Sequence, residues 1–482
     1  MVLRGTVILT ILYALILPGC VLLQPTEPFS PVPVTKATGI PPPALSQPFS
    51  AKEEILAEPL TLECSLEIAL KNNPEVAATL WEVSAAGAKL DQAKAARWPT
   101  VTYEGSYLKY LSSRPIFEAR YNAQRRIFSK QISRGDVILK LPLFTGGRIV
   151  NEIKAADLVR LAEEHRLSRT RDELIFNVSS TFYGILSQEK VIDSVKFSLQ
   201  AMLEQRRKMA EMVKVGKAAR VDLLRTEVRV ADLEQSLEKE TNILEIQKRL
   251  LANLLGLDYE KADLKIQGKL TFEKKGFSSE QLVPLALDRR PDYRAARDRV
   301  EAQAKRVDVA RAGHSPNVNL VGSYGYRGTG VVGAFDDRGG PKISQNRGPW
   351  YDDDGQIGVV LTLPLFEGGR ISAKVREEWA VLAAAQERLR KLNLQVRQEV
   401  ETAVLEVRSN SERVKATEKA IEQARESLRI ETLKYNLGSG TITDILDAQT
   451  ALLLTETTYY RALADFRTAL ARLKLAVGGD LS

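Results

Sequence analysis

The chain has 482 residues; 27% are charged, 6% are aromatic and the net charge is +8. That balance fits long solvated helices better than a compact enzyme core. Basic and acidic residues alternate without a dense Lys/Arg block, so the positive charge reads as solvated helix faces and not as a nucleic-acid surface.

The first segment, 1–19, reads as a signal peptide. Arg4 supplies a positive start, and the apolar run Val7 to Leu17 is too short to span a bilayer. It ends in Leu17-Pro18-Gly19-Cys20, which resembles a lipoprotein box with Pro18 in place of the usual small residue. Cys20 is therefore the expected lipidation site. The segment 20–59 contains a Pro-, Ser- and Thr-rich run, Pro25 to Pro48, and reads as an extended tether. Cys64 is the one other cysteine, so disulfides are not expected to hold this exported chain.

The body reads as two tandem repeats, 60–258 and 281–479, with a linker at 259–280. The first strand is expected at about 100–112, where Val101, Tyr103, Gly105 and Tyr107 alternate with Thr102, Glu104 and Ser106. A second is expected at about 132–144, where Val137, Leu139, Leu141 and Leu143 share a face. Between them lies the polar loop SSRPIFEARYNAQRRIFSKQ. The second strand ends in the phrase LPLFTGGRI, read as a corner: Pro142 removes a backbone donor, Gly146 and Gly147 permit the turn, and Arg148 opens a helix. No proline occurs between Pro142 and Pro284, so Ile149 to Val213 can be one helix of roughly 100 Å. Gly216 stops it, Lys217 follows in the turn, and a returning helix closes the repeat.

The second repeat restates this order. Pro74 and Pro99 align with Pro291 and Pro316, 217 residues on; from the phrase onward the spacing is 222, and Gly216, Asp222 and Gly256 align with Gly438, Asp444 and Gly478. Strands are expected at about 317–327 and 355–366, enclosing the loop RGTGVVGAFDDRGGPKISQNRGPWYDDD. Val318, Leu320 and Tyr324 share one face; so do Ile357, Val359, Leu361 and Leu363. The second corner, LPLFEGGRI, carries Pro364, Gly368, Gly369 and Arg370. Ile371 to Tyr435 can be one helix. Its seam runs in steps of three and four through Val375, Trp379, Leu382, Gln386, Leu389, Asn393, Val396, Val400, Ala403, Val407, Asn410, Val414, Thr417, Ile421, Ala424 and Leu428. That spacing buries one stripe against a neighbouring helix. The turn at Gly438 and Ser439 follows, then a helix that Thr441 or Thr443 caps.

Strands of about ten residues with one apolar face carry the pattern of a membrane β-barrel; a half-buried soluble sheet is the other reading. Four strands cannot close a barrel, and lipid does not tolerate an open sheet edge, so several chains would have to share one barrel. No chemistry-bearing constellation stands out. His165 and His314 lie far apart, His165 among charges where it reads as solvated; the acids of DDRGG and YDDD read as solvated loop residues. No catalytic, cofactor or metal site is expected.

The order hairpin, corner, long helix, turn and returning helix, given twice, resembles the TolC family of outer-membrane efflux proteins. The corners carry the resemblance, together with MVKVGKAARVDLLRTEVRV at Met212 and KYNLGSGTITDILDAQTALL at Lys434. The resemblance implies an α+β fold of mostly long α-helices: a homotrimer whose helices form an α-helical tunnel in the periplasm and whose strands, four per chain, share a 12-strand barrel in outer-membrane lipid. It implies a passive exit duct that docks with a periplasmic adaptor and an inner-membrane transporter. The turns at Gly216, Lys217, Gly438 and Ser439 then match the adaptor-contacting tip. Asp444 and Asp447 match aspartates that ring the tunnel entrance, although acids in a first helical turn are also favoured by the helix dipole. Asp222 and Tyr435 match two members of a closing network, which implies a bond between them. The network's arginine is Gly440 here, and Val221 replaces a hydroxyl residue. A type I protein secretion duct is an alternative within the family; outside it stand a periplasmic coiled-coil scaffold and a self-contained porin.

Overall fold

The computed structural model describes residues 59–109, 111, 131–258, 264–273, 276–329, 334–335, 341–342 and 350–479. The signal segment, Cys20, the tether and most of the two strand-connecting loops lie outside the described residues.

Helix α1 (Leu62–Asn72) starts at Thr61, whose hydroxyl accepts the Cys64 N–H. Helix α2 (Pro74–Ala95) starts at Asn73, whose side-chain oxygen accepts from the Glu75 and Val76 N–H groups, with Pro74 in the first helical position. Strands β1 (Thr100–Lys109) and β2 (Gln131–Phe144) follow, then α3 (Arg148–Lys214) and α4 (Arg220–Leu254). The second half has α5 (Ser279–Arg289), α6 (Pro291–Arg311), β3 (Asn317–Thr329), a two-residue ribbon β4 (Ala334–Phe335) and β5 (Pro341–Lys342), β6 (Trp350–Thr362), α7 (Arg370–Asn436) and α8 (Ile442–Val477). Helices α3 and α7 have 67 residues each, about 100 Å at 1.5 Å per residue.

Four strands form one antiparallel sheet in the order β1-β2-β3-β6. The hairpins of the two halves share one register: Val101 pairs with Leu139, and the equivalent Val318 pairs with Leu361. The duplication is thus carried into backbone hydrogen bonding. Strand β2 ends at Phe144, as expected, and β3 pairs with it there, Leu141 opposite Leu320 and Phe144 opposite Val318, with a bulge between Pro142 and Phe144. The ends of β6 differ from the expected span. Strand β6 stops at Thr362, and its outer edge has no partner among the described residues. It also begins at Trp350, so the acids of YDDD belong to a strand and not to the loop in which the sequence reading put them.

Helix α3 packs against α2, α4, α6 and α8, and α7 packs against α6 and α8. Of the expected α7 seam, Leu382, Val396, Val400, Ala403, Val407 and Val414 are buried, while Trp379 and Gln386 are exposed. Val396, Val400, Ala403, Val407 and Val414 share a core with Leu463, Phe466 and Leu473 of α8, and Phe272 stands edge-on to Phe466 at 4.9 Å. Leu174, Val178, Ile185, Leu251 and Leu255 form the matching core of the first half. A third cluster joins the halves where the long helices end: Met202, Met209, Val230 and Leu233 against Ile442, Ile445 and Leu446.

Candidate functional site

Two regions carry the candidate function: the sheet at one end of the long helices and the turns at the other.

The sheet has two unlike faces because every strand alternates and every register is in phase. Val101, Leu139, Gly322 and Ile357 lie in one row across it; Tyr103, Val137 and Tyr324 lie in the next. Thr102, Ile138, Ser323 and Gln356 share a row of the opposite face, and so do Glu104 and Asp136. All of β1 is exposed, and Val137, Ile357, Val359 and Leu361 are exposed as well. An apolar sheet face open along its whole length is what a lipid-facing barrel wall presents. On the polar face Arg134 pairs with Asp136, whose carboxylate is buried.

Both corners have the same backbone. Gly146 and Gly147 have φ of 61° and 83°, and Gly368 and Gly369 have φ of 59° and 83°, values that side chains resist. Each corner closes with one hydrogen bond: the Arg148 N–H donates to the Thr145 carbonyl, and the Arg370 N–H to that of Glu367, both at 3.1 Å. Arg148 then pairs with Glu152 at 3.2 Å, whereas Arg370 pairs back to Glu367. Pro142 lies in the bulged end of β2; Pro364 follows β6.

At the far end both turns terminate their helices with a left-handed glycine. The Lys217 N–H donates to the Met212 carbonyl at 2.8 Å, and the Ser439 N–H to that of Lys434 at 2.9 Å, with Gly216 at φ 74° and Gly438 at φ 77°. Val215 and Leu437 are exposed beside them. Thr441, not Thr443, caps α8, in a reciprocal box with Asp444. Asp444 and Asp447 are both exposed and one helical turn apart. Hydrogen bonds from Thr441 hold the Asp444 carboxyl below the usual range.

Asp222 and Tyr435 come close but do not form the expected hydrogen bond. Burial first, and the nearby Asp222 charge second, push the Tyr435 phenol up. Asp222 instead faces Arg225 at 3.8 Å. The ties between α4 and α8 come from residues the sequence reading did not single out. Arg225 Nη1 donates to Thr443 Oγ1 at 3.1 Å, and Arg229 Nη2 to Thr450 Oγ1 at 2.6 Å. Farther along, Arg461 pairs with Glu240, which also accepts from Gln188. The available signal was the four-residue spacing of Arg225 and Arg229 in α4, which sets both guanidiniums on one helix face. His165, read as solvated, is instead half-buried, 3.5 Å from Asp298 of α6.

The outer membrane efflux protein family matches residues 65–257 and 282–479, which is most of both repeats. The chain belongs to that family. It is 24% identical over 430 residues to nodulation protein T of Rhizobium leguminosarum bv. trifolii, covering 86% of this chain and 84% of that one. It is 24% identical over 426 residues to the alkaline protease secretion protein AprF of Pseudomonas aeruginosa, covering 85% and 83%. The fold is that of the outer membrane protein VceC from Vibrio cholerae, with a TM-score of 0.72 at 22% identity over 87% of this chain and 97% of that one. Among outer membrane efflux proteins, then, this chain carries its two repeats with matching corners and turns.

Proposed function

We propose that this chain is the outer-membrane exit duct of a tripartite efflux system. In this reading three copies share one barrel of twelve strands, the helices continue as a tunnel across the periplasm, and the energy for export comes from an inner-membrane transporter joined through a periplasmic adaptor. The turns at Gly216, Lys217, Gly438 and Ser439 are the adaptor contacts. Asp444 and Asp447 ring the entrance, where three copies of each concentrate negative charge and draw in cations. Cys20 carries a lipid anchor.

The observation that carries this reading is the sheet: one face apolar and exposed, one face polar, both edges unpaired among the described residues, and helices of 67 residues attached. Alone in lipid such a sheet leaves its edge N–H and C=O groups without partners, at several kcal/mol each. Closure by further copies removes both edges at once.

The test is the mass of the detergent-solubilised particle. The chain is 53.5 kDa before processing. A particle of three mature chains supports the duct. A folded monomer sinks it and favours a periplasmic scaffold, which salt alone would release from the envelope. The likeness to a protease secretion protein keeps a type I secretion duct as the second reading. Loss of small-molecule resistance on deletion, with secreted proteins unchanged, decides for efflux.

A further inference from the structure

The turns that end the two long helices share a backbone but not a charge. Val215 and Leu437 stand at equivalent places, each just before its left-handed glycine, and are 65% and 82% exposed. Both turns close with the same backbone hydrogen bond. What surrounds the two apolar residues differs. The stretch 206–220 holds Arg206, Arg207, Lys208, Lys214, Lys217 and Arg220 against one acid, Glu211. The equivalent stretch 428–442 holds only Arg429 and Lys434 against Glu431.

Folding sharpens the difference. Arg429 pairs with Glu426 and Lys434 with Glu431, both at 2.7 Å. The six first-half cations are all exposed, and none makes an ion pair or a side-chain hydrogen bond among the described residues; nor does Glu211. Arg207 and Lys214 lie two helical turns apart on α3, on a face away from the buried Met202 and Met209. Cations are favoured at a helix C-terminus, but α7 ends in the same way with two, each neutralised by a neighbour. Arg220 opposes the dipole outright. It takes the first position of α4, behind Ala219, where no side chain caps the helix. The equivalent end of α8 has the Thr441–Asp444 box. Helix stability therefore does not account for the charge of the first turn.

Resting on the reading of these turns as adaptor contacts, we propose that the first turn is a cationic dock for an acidic segment of the adaptor. Carboxylates of that segment meet Arg207, Lys208, Lys214 and Lys217 around a small apolar socket that takes Val215. The second turn offers Leu437 with its cations already paired, so its contact is mainly apolar. One chain thus presents two unlike sites, and charge decides which part of the adaptor meets which turn. Exposed cations draw a carboxylate-bearing surface from a distance and fix its orientation on contact. A neutral or basic segment would desolvate the same cations without pairing them.

The experiment is photo-cross-linking of the full chain in cells, with benzoylphenylalanine in place of Val215 or of Leu437. The captured protein counts as the adaptor when its deletion removes the same small-molecule resistance as deletion of the duct. The adaptor peptide held at 215 should carry an excess of Asp and Glu. Lys214→Glu with Lys217→Glu should lower its yield about tenfold or more, and Lys214→Arg with Lys217→Arg should retain it. Asn436→Glu with Ser439→Glu, the equivalent places of the second turn, should leave the yield at 215 near native. Particle mass is measured on every variant, and yields are compared only between trimers. The peptide sequence at 215 decides even where a charge-reversed chain does not assemble. A neutral or basic peptide at 215, an anionic lipid in its place, or a yield indifferent to charge reversal overturns the acidic dock. With the adaptor still captured at 437, the duct then stands. Native trimers that capture no adaptor at either turn overturn the adaptor contacts as well, and native monomers overturn the duct.

Discussion

Thr441 and Asp444 hold each other at the start of α8. The Asp444 N–H donates to Thr441 Oγ1 at 3.3 Å, and Asp444 Oδ2 accepts the Thr441 N–H at 2.9 Å and its hydroxyl at 2.7 Å. This box stands at the proposed tunnel mouth, so the ring residue also holds the helix end in place. Thr441→Ala removes the cap at a cost of ~1 kcal/mol, which should speed amide exchange in the first turn of α8 about fivefold. Because the Asp444 pKa is lowered, its contribution is present above the ordinary Asp pKa and is lost as pH falls through the lowered value. Amide exchange followed against pH should show tip protection falling in that acid window in the native chain, and a smaller fall in Thr441→Ala.

Asp447 has no hydrogen bond or ion pair among the described residues, whereas Asp444 is engaged by its cap. Asp447→Asn should therefore reduce cation selectivity of the reconstituted channel without loosening α8. Asp444→Asn should both reduce selectivity and loosen the helix end. Reversal potentials in a salt gradient, paired with exchange rates, separate the two. Equal selectivity in Asp447→Asn and native channels would remove Asp447 from the mouth.

Arg225 and Arg229 tie α4 to α8 near the turns through Thr443 and Thr450. Tyr435 and Asp222, by contrast, lie close enough for the Asp222 charge to act on the phenol but form no hydrogen bond. We propose that the arginines hold the tip closed. Arg225→Ala with Arg229→Ala should raise resting single-channel conductance, and Tyr435→Phe should change it little. The opposite ranking would restore the tyrosine as the closing group.

Asp298 is a carboxylate that burial pushes up, against the opposing charge of His165 and of Arg297 and Arg294 on its own helix, with Glu301 adding to the rise. A raised carboxyl destabilises the folded chain once ionised, and the penalty appears as pH rises through its folded value. Asp298→Asn should thus raise the melting temperature in detergent at pH 7. The difference from the native chain should vanish below the ordinary Asp pKa.

Much of this architecture was readable because it is local or periodic. Proline-free stretches bounded α3 and α7, the three-four spacing named the α7 seam, and Gly-Gly after Leu-Pro-Leu-Phe marked both corners. Period-two alternation found all four long strands. What escaped were pairings decided by tertiary geometry. Nothing near Arg225 in sequence points to Thr443, 218 positions away. Strand β6 has no partner at its outer edge among the described residues and stops at Thr362, so its span was read too long at one side. At the other, acids suggesting a solvated loop belong to the strand. The arginine that the resemblance implies at the tip is Gly440 here, and the arginines that bond α8 lie on another helix.

Among the described residues Arg290 is the most enclosed charged side chain, 1% exposed. It donates to Asp292 through Nε and Nη2 at 3.0 and 2.6 Å, and to Glu399 and the Ala476 carbonyl through Nη1. It thereby fastens the α5–α6 junction to α7 and to the end of α8. Asn73, its counterpart in the first half, makes the carbonyl bond and caps α2 but forms no ion pair. Arg290→Ala strands two carboxylates and a carbonyl, and should cost about 3 kcal/mol, at the low end for a buried pair because Glu399 and Asp292 retain some water. Arg290→Asn imports the first-half solution and should cost about half as much. Burial alone would raise the Asp292 pKa, but the hydrogen bonds and charge of Arg290 outweigh it and hold it low. The ionic share of the junction is therefore present above the ordinary Asp pKa and fades as pH falls through the lowered value. Melting temperatures of the native chain and Arg290→Asn should differ clearly at neutral pH and converge in acid. A gap that persisted at acid pH would assign the junction's strength to packing around the guanidinium and not to its ion pairs.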